Sequence, residues 1–212
     1  MKLHSMDTLK RFSSDIAFTE QVKALQHRKG SRKAYERMEQ GGSWATAISE
    51  ELREFIGQQR SFFLATSNAE NQPYIQHRGG PPGFLRVLDE HTLGFADFSG
   101  NRQYISLGNL AENPKVHLFF IDYAQRQRIK LWGEARVVSD DPELLRSLTP
   151  QDYRARPEQV IVIKVAAWDA NCPQHIPQRF DAEDVQAALR ERDQRIAELE
   201  DELRRLKQRS ED

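Results

Sequence analysis

Apolar residues are sparse from residue 1 to 60 and recur there at helical intervals. Thr19 can cap a helix over residues 20–29, with Val22 and Leu25 apolar and Gly30 as its stop. A second helix is predicted over residues 31–40, closed by Gly41-Gly42. A third opens at Ser49, with Leu52, Phe55 and Ile56 on one face. The spacing then changes to strands. Residues 61–66 and 74–77 read as a hairpin around a polar turn. Gly79-Gly80-Pro81-Pro82-Gly83 is a stiff connector, followed by strands over residues 84–88 and 92–98. Residues 115–122 are almost continuously apolar, as in a strand covered on both faces. Residues 128–138 alternate, with Arg128, Lys130 and Trp132 on one face and Ile129 and Leu131 on the other. A short helix over 140–148 and a strong strand over 159–168 follow. Six or seven antiparallel strands with short turns, interrupted by one helix, predict a mainly β (α+β) barrel with flanking helices.

The last stretch changes period again. Val185, Leu189, Arg192, Ile196, Leu199, Leu203 and Leu206 step by four and three, an a/d seam of about three heptads with one arginine in it. In a parallel pair Arg195 would face Glu200, and Glu202 would face Lys207, of the partner helix. A single amphipathic helix lying on the globular domain fits the same pattern. The expected organisation is an N-terminal helical segment over 1–60 packed on a barrel over 61–180, then a C-terminal helix over 181–212.

The strand over 92–98 runs through Ser99-Gly100-Asn101 into a helical pattern (Tyr104, Leu107, Leu110, Ala111) that Asn113-Pro114 ends. Arg102 and Gln103 are predicted in the first helical turn. Free N–H groups there favour an anion, and an arginine fork suits a phosphate. An Asn-capped surface helix with a solvated arginine is the other reading of these residues.

Composition narrows the classes. With 212 residues, 38 % of them hydrophobic and 30 % charged, the chain can bury one core and must leave other segments solvated. The net charge of −1 argues against nucleic acid as the partner. Between His77 and Gly133, seven Lys/Arg stand against five Asp/Glu, which suits a local anion pocket better than a binding stripe. One cysteine, Cys172, excludes an internal disulfide and points to a reducing compartment. The start lacks an apolar signal region and no run approaches the roughly 18 apolar residues of a membrane span. A cytoplasmic protein with no membrane partner is expected.

Four stretches then carry a family resemblance. PYIQHRGGPPGFLRVLD, FADFSGNRQYISLGNLAENPKVHLFF, RIKLWGEARVV and WDANCPQHIPQRF stand in the order usual for the pyridoxamine 5′-phosphate oxidase-like, FMN-binding split-barrel family. The resemblance covers about 120 residues. It implies a six-stranded split barrel, a homodimer, and FMN held at the interface between copies. Arg78, Asn101, Arg102 and Gln103 match phosphate-facing positions. Arg128 and Lys130 match the strand beside the isoalloxazine, and Trp132 reads as a ring stacked there or as a plain barrel tryptophan. His175 and Arg179 match the family's C-terminal contribution to the flavin site. The arginine-rich proline ending of the oxidase proper is missing, so a different small-molecule substrate is expected.

The single residues have plainer readings beside these. Cys172 and His175 sit three apart, but no further metal ligands stand nearby and Cys172 reads as structural. His77 reads as a proton donor or as a hydrogen-bonded strand histidine. The expected function is an FMN-dependent oxidoreductase acting on a small molecule. The alternatives are a non-catalytic flavin, haem or deazaflavin binder or sensor, or an interaction platform.

Overall fold

Alternation of apolar and polar side chains sets the sheet. The structure is a computed structural model describing residues 12–171 and 173–211. Its chain divides into two compact units. Among the described residues one unit holds 12–121 and 128–171, and the other 122–127 and 173–211.

The larger unit carries a seven-stranded, mostly antiparallel sheet. Its strands are β1 (Ser61–Ser67), β2 (Pro73–Gly79), β3 (Leu85–Asp89), β4 (Thr92–Phe98), β5 (Lys115–Asp122), β6 (Gln127–Val138) and β7 (Pro157–Asn171), in the order β2-β1-β5-β6-β7-β4-β3. The resemblance implied six strands, a minor difference. β2 and β4 lie near opposite ends of that order, yet Arg78 on β2 and Asp97 on β4 form an ion pair at 2.8 Å. The rings of Phe62 on β1 and Phe95 on β4 are 5.4 Å apart. The sheet therefore curls until its ends meet through side chains, which is the geometry of a split barrel.

Inside, Phe62 also packs on Phe84 and Phe120, with Leu64, Leu118, Leu131, Ile161 and Ile163 buried around them. Each such side chain contributes roughly 1.5–3 kcal/mol of burial. β5 is not covered equally on both faces as its apolar run predicted. Val116, Leu118 and Phe120 are buried, whereas His117 and Phe119 are half-buried on the outer face. At Gly133 the β6–β7 register shifts, and an added Cβ would lie 2.4 Å from the Lys164 carbonyl oxygen. Only glycine fits that close approach.

The helices of this unit are α1 (Glu20–Lys29), α2 (Arg32–Gln40), α3 (Glu50–Gln58), α4 (Ile105–Glu112) and α5 (Pro142–Leu148). Thr19 caps α1 by accepting the Val22 N–H at 3.3 Å, and Gly30 ends it in the left-handed region at φ 81°. Ser49 caps α3 in the same way through the Leu52 N–H. Buried Arg32 ties the first two helices together, donating to Gln26 at 2.7 Å and pairing with Glu36 and buried Glu39. The linker after α2 crosses the sheet. Trp168 donates its backbone N–H to Ala45 at 2.9 Å and its ring N–H to Ala47 at 2.8 Å.

The smaller unit contains α6 (Ala182–Glu211), a helix of 30 residues. Among the described residues no helix is long and apolar enough to cross a membrane.

Candidate functional site

The turn between β4 and α4 is where the sequence placed an anion, and its geometry differs from the expected one. Arg102 and Gln103 do not lie in the first helical turn, because the helix begins at Ile105. The Asn101 side chain accepts the Gln103 N–H at 3.2 Å, closing a small turn of its own. Arg102 and Tyr104 both sit in the left-handed region, with φ of 59° and 54°, so the backbone cannot propagate a helix through them. Two non-glycine residues strained in one short loop are what functional sites tend to hold.

The consequence for an anion is favourable. Gly108 donates to Tyr104 O at 2.9 Å, the first bond of the helix, so the N–H groups of Ile105, Ser106 and Leu107 have no acceptor within it. No side chain caps this end. The helix is pinned from behind: Asn109 donates to Thr66 at 2.9 Å and Asn113 to Ser67 at 2.9 Å, both on β1. Arg102 holds its Nε against the Tyr104 hydroxyl at 3.2 Å, and this bond, with Glu158 nearby, raises its pKa further. It is a fixed cation.

Arg78 comes to the same place from the sheet. Along β2 the side chains alternate, so Tyr74, Gln76 and Arg78 share one face. With Asp97, Asn101, Arg102, Gln103 and the start of α4 they line a cavity of about 180 Å³. The Arg78 Nη1 is held by Asp97, which also accepts from Gln159 at 3.2 Å. The Arg78 Nε is buried and finds no partner among the described residues. A buried donor without an acceptor is costly and fits a site built for an acceptor-rich ligand. His77 faces the opposite side of β2, edge-on to Phe63 at 5.7 Å.

The outer face of β6 is a different environment. Arg128, Lys130 and Trp132 share it, as the alternation predicted. Lys130 and Trp132, however, line a second cavity of about 590 Å³ with Trp44, Trp168 and Asp169, and Arg128 lines neither cavity. Trp44 stacks on Trp132 with centroids 4.7 Å apart and planes 11° from parallel. Lys130 pairs with Asp169 at 3.1 Å and lies 5.6 Å from both tryptophan ring centres. His117 packs edge-on against Trp132 at 4.8 Å, and burial, with the Lys130 charge beside it, lowers its pKa. Lys130 and the aromatic surface here are already matched to one another.

His175 and Arg179 belong to the smaller unit. There the Arg179 guanidinium lies 4.8 Å over the Tyr123 ring, and its backbone N–H reaches Tyr123 O at 3.3 Å. His175 is exposed, with φ of 65°. Cys172 lies outside the described residues. Among the described residues no three His, Cys, Asp or Glu are grouped to hold a metal.

Sequence reasoning missed several residues of the first cavity. Tyr74 and Gln76 follow from the same alternation that exposes Arg78. Asp97 stood out as a lone acid within the apolar run LGFADF. Trp44 carried no signal, because nothing local links it to Trp132.

A curled antiparallel sheet whose ends meet at a cavity lined by Arg78, Arg102, Asp97, Glu158 and the open N-terminus of α4 defines an α+β barrel protein. The family model described as pyridoxamine 5′-phosphate oxidase matches residues 48–172, more than half of the chain. The chain belongs to that family. No curated protein matches it significantly. Among solved structures it is similar to HupZ from Group A Streptococcus, with 21 % identity over 63 % of this chain and 99 % of that one and a TM-score of 0.49. It is similar to an FMN-binding protein from Syntrophomonas wolfei subsp. wolfei, with 14 % identity over 69 % and 97 % and a TM-score of 0.46. A third likeness is to HutZ, the haem storage protein from Vibrio cholerae, with 17 % identity over 57 % and 91 % and a TM-score of 0.37. At these TM-scores they add nothing to the family assignment.

Proposed function

We propose that this protein is an FMN-dependent oxidoreductase acting on a small molecule as a homodimer. One observation carries the reading. Arg78, Arg102 and the open N-terminus of α4 line a single cavity, and the buried Arg78 Nε finds no partner among the described residues. A phosphate monoester answers each of those groups, since its oxygens accept from guanidinium forks and from free helix N–H groups alike. The site residues fit the phosphate end of FMN. Arg102 and Arg78 would grip it, Asn101 and Gln103 would hold the loop around it, and Tyr104 would keep Arg102 aimed.

Bound FMN would supply the capacity to take and return electrons, while the protein binds and orients it. Lys130 is poorly suited to stand beside the flavin ring, because Asp169 already neutralises it. Arg128, half-buried on the same face, is the better candidate. Ile75, 61 % exposed on the outer face of β2, is apolar surface that a second copy would cover.

The absorbance spectrum of the purified protein after loading with FMN tests the reading. Bound-flavin bands that bleach with NADH or NADPH and return in air are the expected result. A protein that takes up no flavin, shows a Soret band, or holds flavin inert to reduction would overturn it.

A further inference from the structure

The geometry points to a parallel, in-register pairing of α6 with the same helix of a second copy. This goes beyond the flavin reading and rests on different residues. Val185, Leu189, Ile196, Leu199, Leu203 and Leu206 are each 42–57 % exposed. They form one narrow line at a and d positions of the heptad. From Asp193 onward the flanking e and g positions are Asp193, Arg195, Glu200, Glu202 and Lys207, all charged. A helix that lies on a globular domain carries a wider apolar stripe, with e or g apolar as well. A strict a/d line with charged flanks is the seam of a coiled coil.

The flanking charges choose the occupant. In a parallel pair the g residue of one helix meets the e residue five positions on in the other. Arg195 then meets Glu200, and Glu202 meets Lys207, so both contacts are attractive for a second copy. Ile196 at a and Leu199 at d favour two strands over three or four. Within one chain Arg195 pairs with Glu198 at 2.9 Å, and both side chains are 66 % exposed. Exposed pairs of this kind are weak and can exchange for a contact across the seam. Arg192 at a d position weakens the first heptads and sets the register of the rest. If the barrels also pair, the tails are tethered at roughly millimolar effective concentration, enough for a short zipper.

The test uses the full chain with Cys172→Ser as background. Leu206→Cys places a thiol at a d position, and Arg205→Cys places one on the outer face as control. Under mild oxidation, disulfide-linked dimer is expected from Leu206→Cys and several-fold less from Arg205→Cys. Adding Arg195→Glu or Glu200→Arg singly should cut the Leu206→Cys yield several-fold, and adding both should restore it. Absent or equal cross-linking at the two positions overturns the proposal, as does a double exchange that fails to restore the yield. Light scattering on the same samples separates the two levels of pairing. Dimer mass without the Leu206→Cys cross-link sinks the tail pairing and leaves that of the barrels.

Discussion

The β4–α4 cavity and the Lys130–Trp132 part of the outer face of β6 both carry basic and aromatic residues, yet the first is left incomplete and the second is already matched. On β6, Lys130 faces Asp169 across the β6–β7 ladder, and Trp132 is covered by Trp44. In the cavity the helix N–H groups lack acceptors in the helix, the Arg78 Nε lacks a partner among the described residues, and Arg102 is hydrogen-bonded to the neutral Tyr104 hydroxyl with Glu158 nearby. Residue type alone does not separate a structural cation from a ligand-binding one. What separates them is whether the fold has already satisfied it.

If that contrast is sound, damage to the two regions should differ in kind. Trp44→Ala has the largest expected effect. It removes a buried ring stacked on Trp132 and edge-on to Phe18 at 5.0 Å. Truncations of this type cost about 3–5 kcal/mol, so the melting temperature should fall sharply. Flavin affinity, measured below the new transition, should stay close to wild type. A Trp44→Ala protein that melts normally but loses flavin would move the site to β6.

Arg78→Ala should come next and show both kinds of damage. It leaves buried Asp97, whose other partner among the described residues is the neutral Gln159, with an uncompensated charge. Breaking such a pair costs about 3 kcal/mol at the lower end of the usual range, visible in urea unfolding. FMN binding should weaken too. Lys130→Met is expected to be milder, at about 1 kcal/mol, because the pair is partly exposed and the methylene stem is kept. Its preference for FMN over riboflavin should match wild type in a direct titration.

The smallest effect concerns acidity. His117 has its pKa lowered in the folded state, so the folded protein binds fewer protons there than the unfolded chain. Its neutral form is accommodated above the ordinary histidine value of about 6.5. Stability is lost as pH falls from that value through the folded one. Melting curves between pH 7.5 and 5 should therefore slope less for His117→Gln than for wild type. Equal slopes would contradict the burial argument.

Much of this was legible in the sequence for local reasons. Strand alternation gave the sheet, and the β4–turn–α4 segment brought Asn101, Arg102 and Gln103 together because they are neighbours in the chain. The exact helix start was not legible, since the Asn101 turn and two left-handed residues outweigh the apolar spacing that began at Tyr104. The pairing of Lys130 with Asp169 depends on a register set by the irregularity at Gly133, and the Trp44 stack joins residues far apart in sequence. Contacts fixed by tertiary register leave no periodic trace. For the same reason Arg128, Lys130 and Trp132 looked equally available on one strand face.

Arg102 is the cleanest probe of the central claim, because it is exposed and in no ion pair that the fold depends on. The deciding measurement is the affinity of wild type and Arg102→Ala for FMN and for riboflavin, which lacks the phosphate. A charge-assisted fork predicts that FMN binding weakens about ten- to a hundredfold in Arg102→Ala while riboflavin binding hardly changes. Arg102→Lys should recover only part of the FMN affinity, since a point charge cannot reproduce the fork. Equal losses for both flavins would contradict the placement of the phosphate against Arg102.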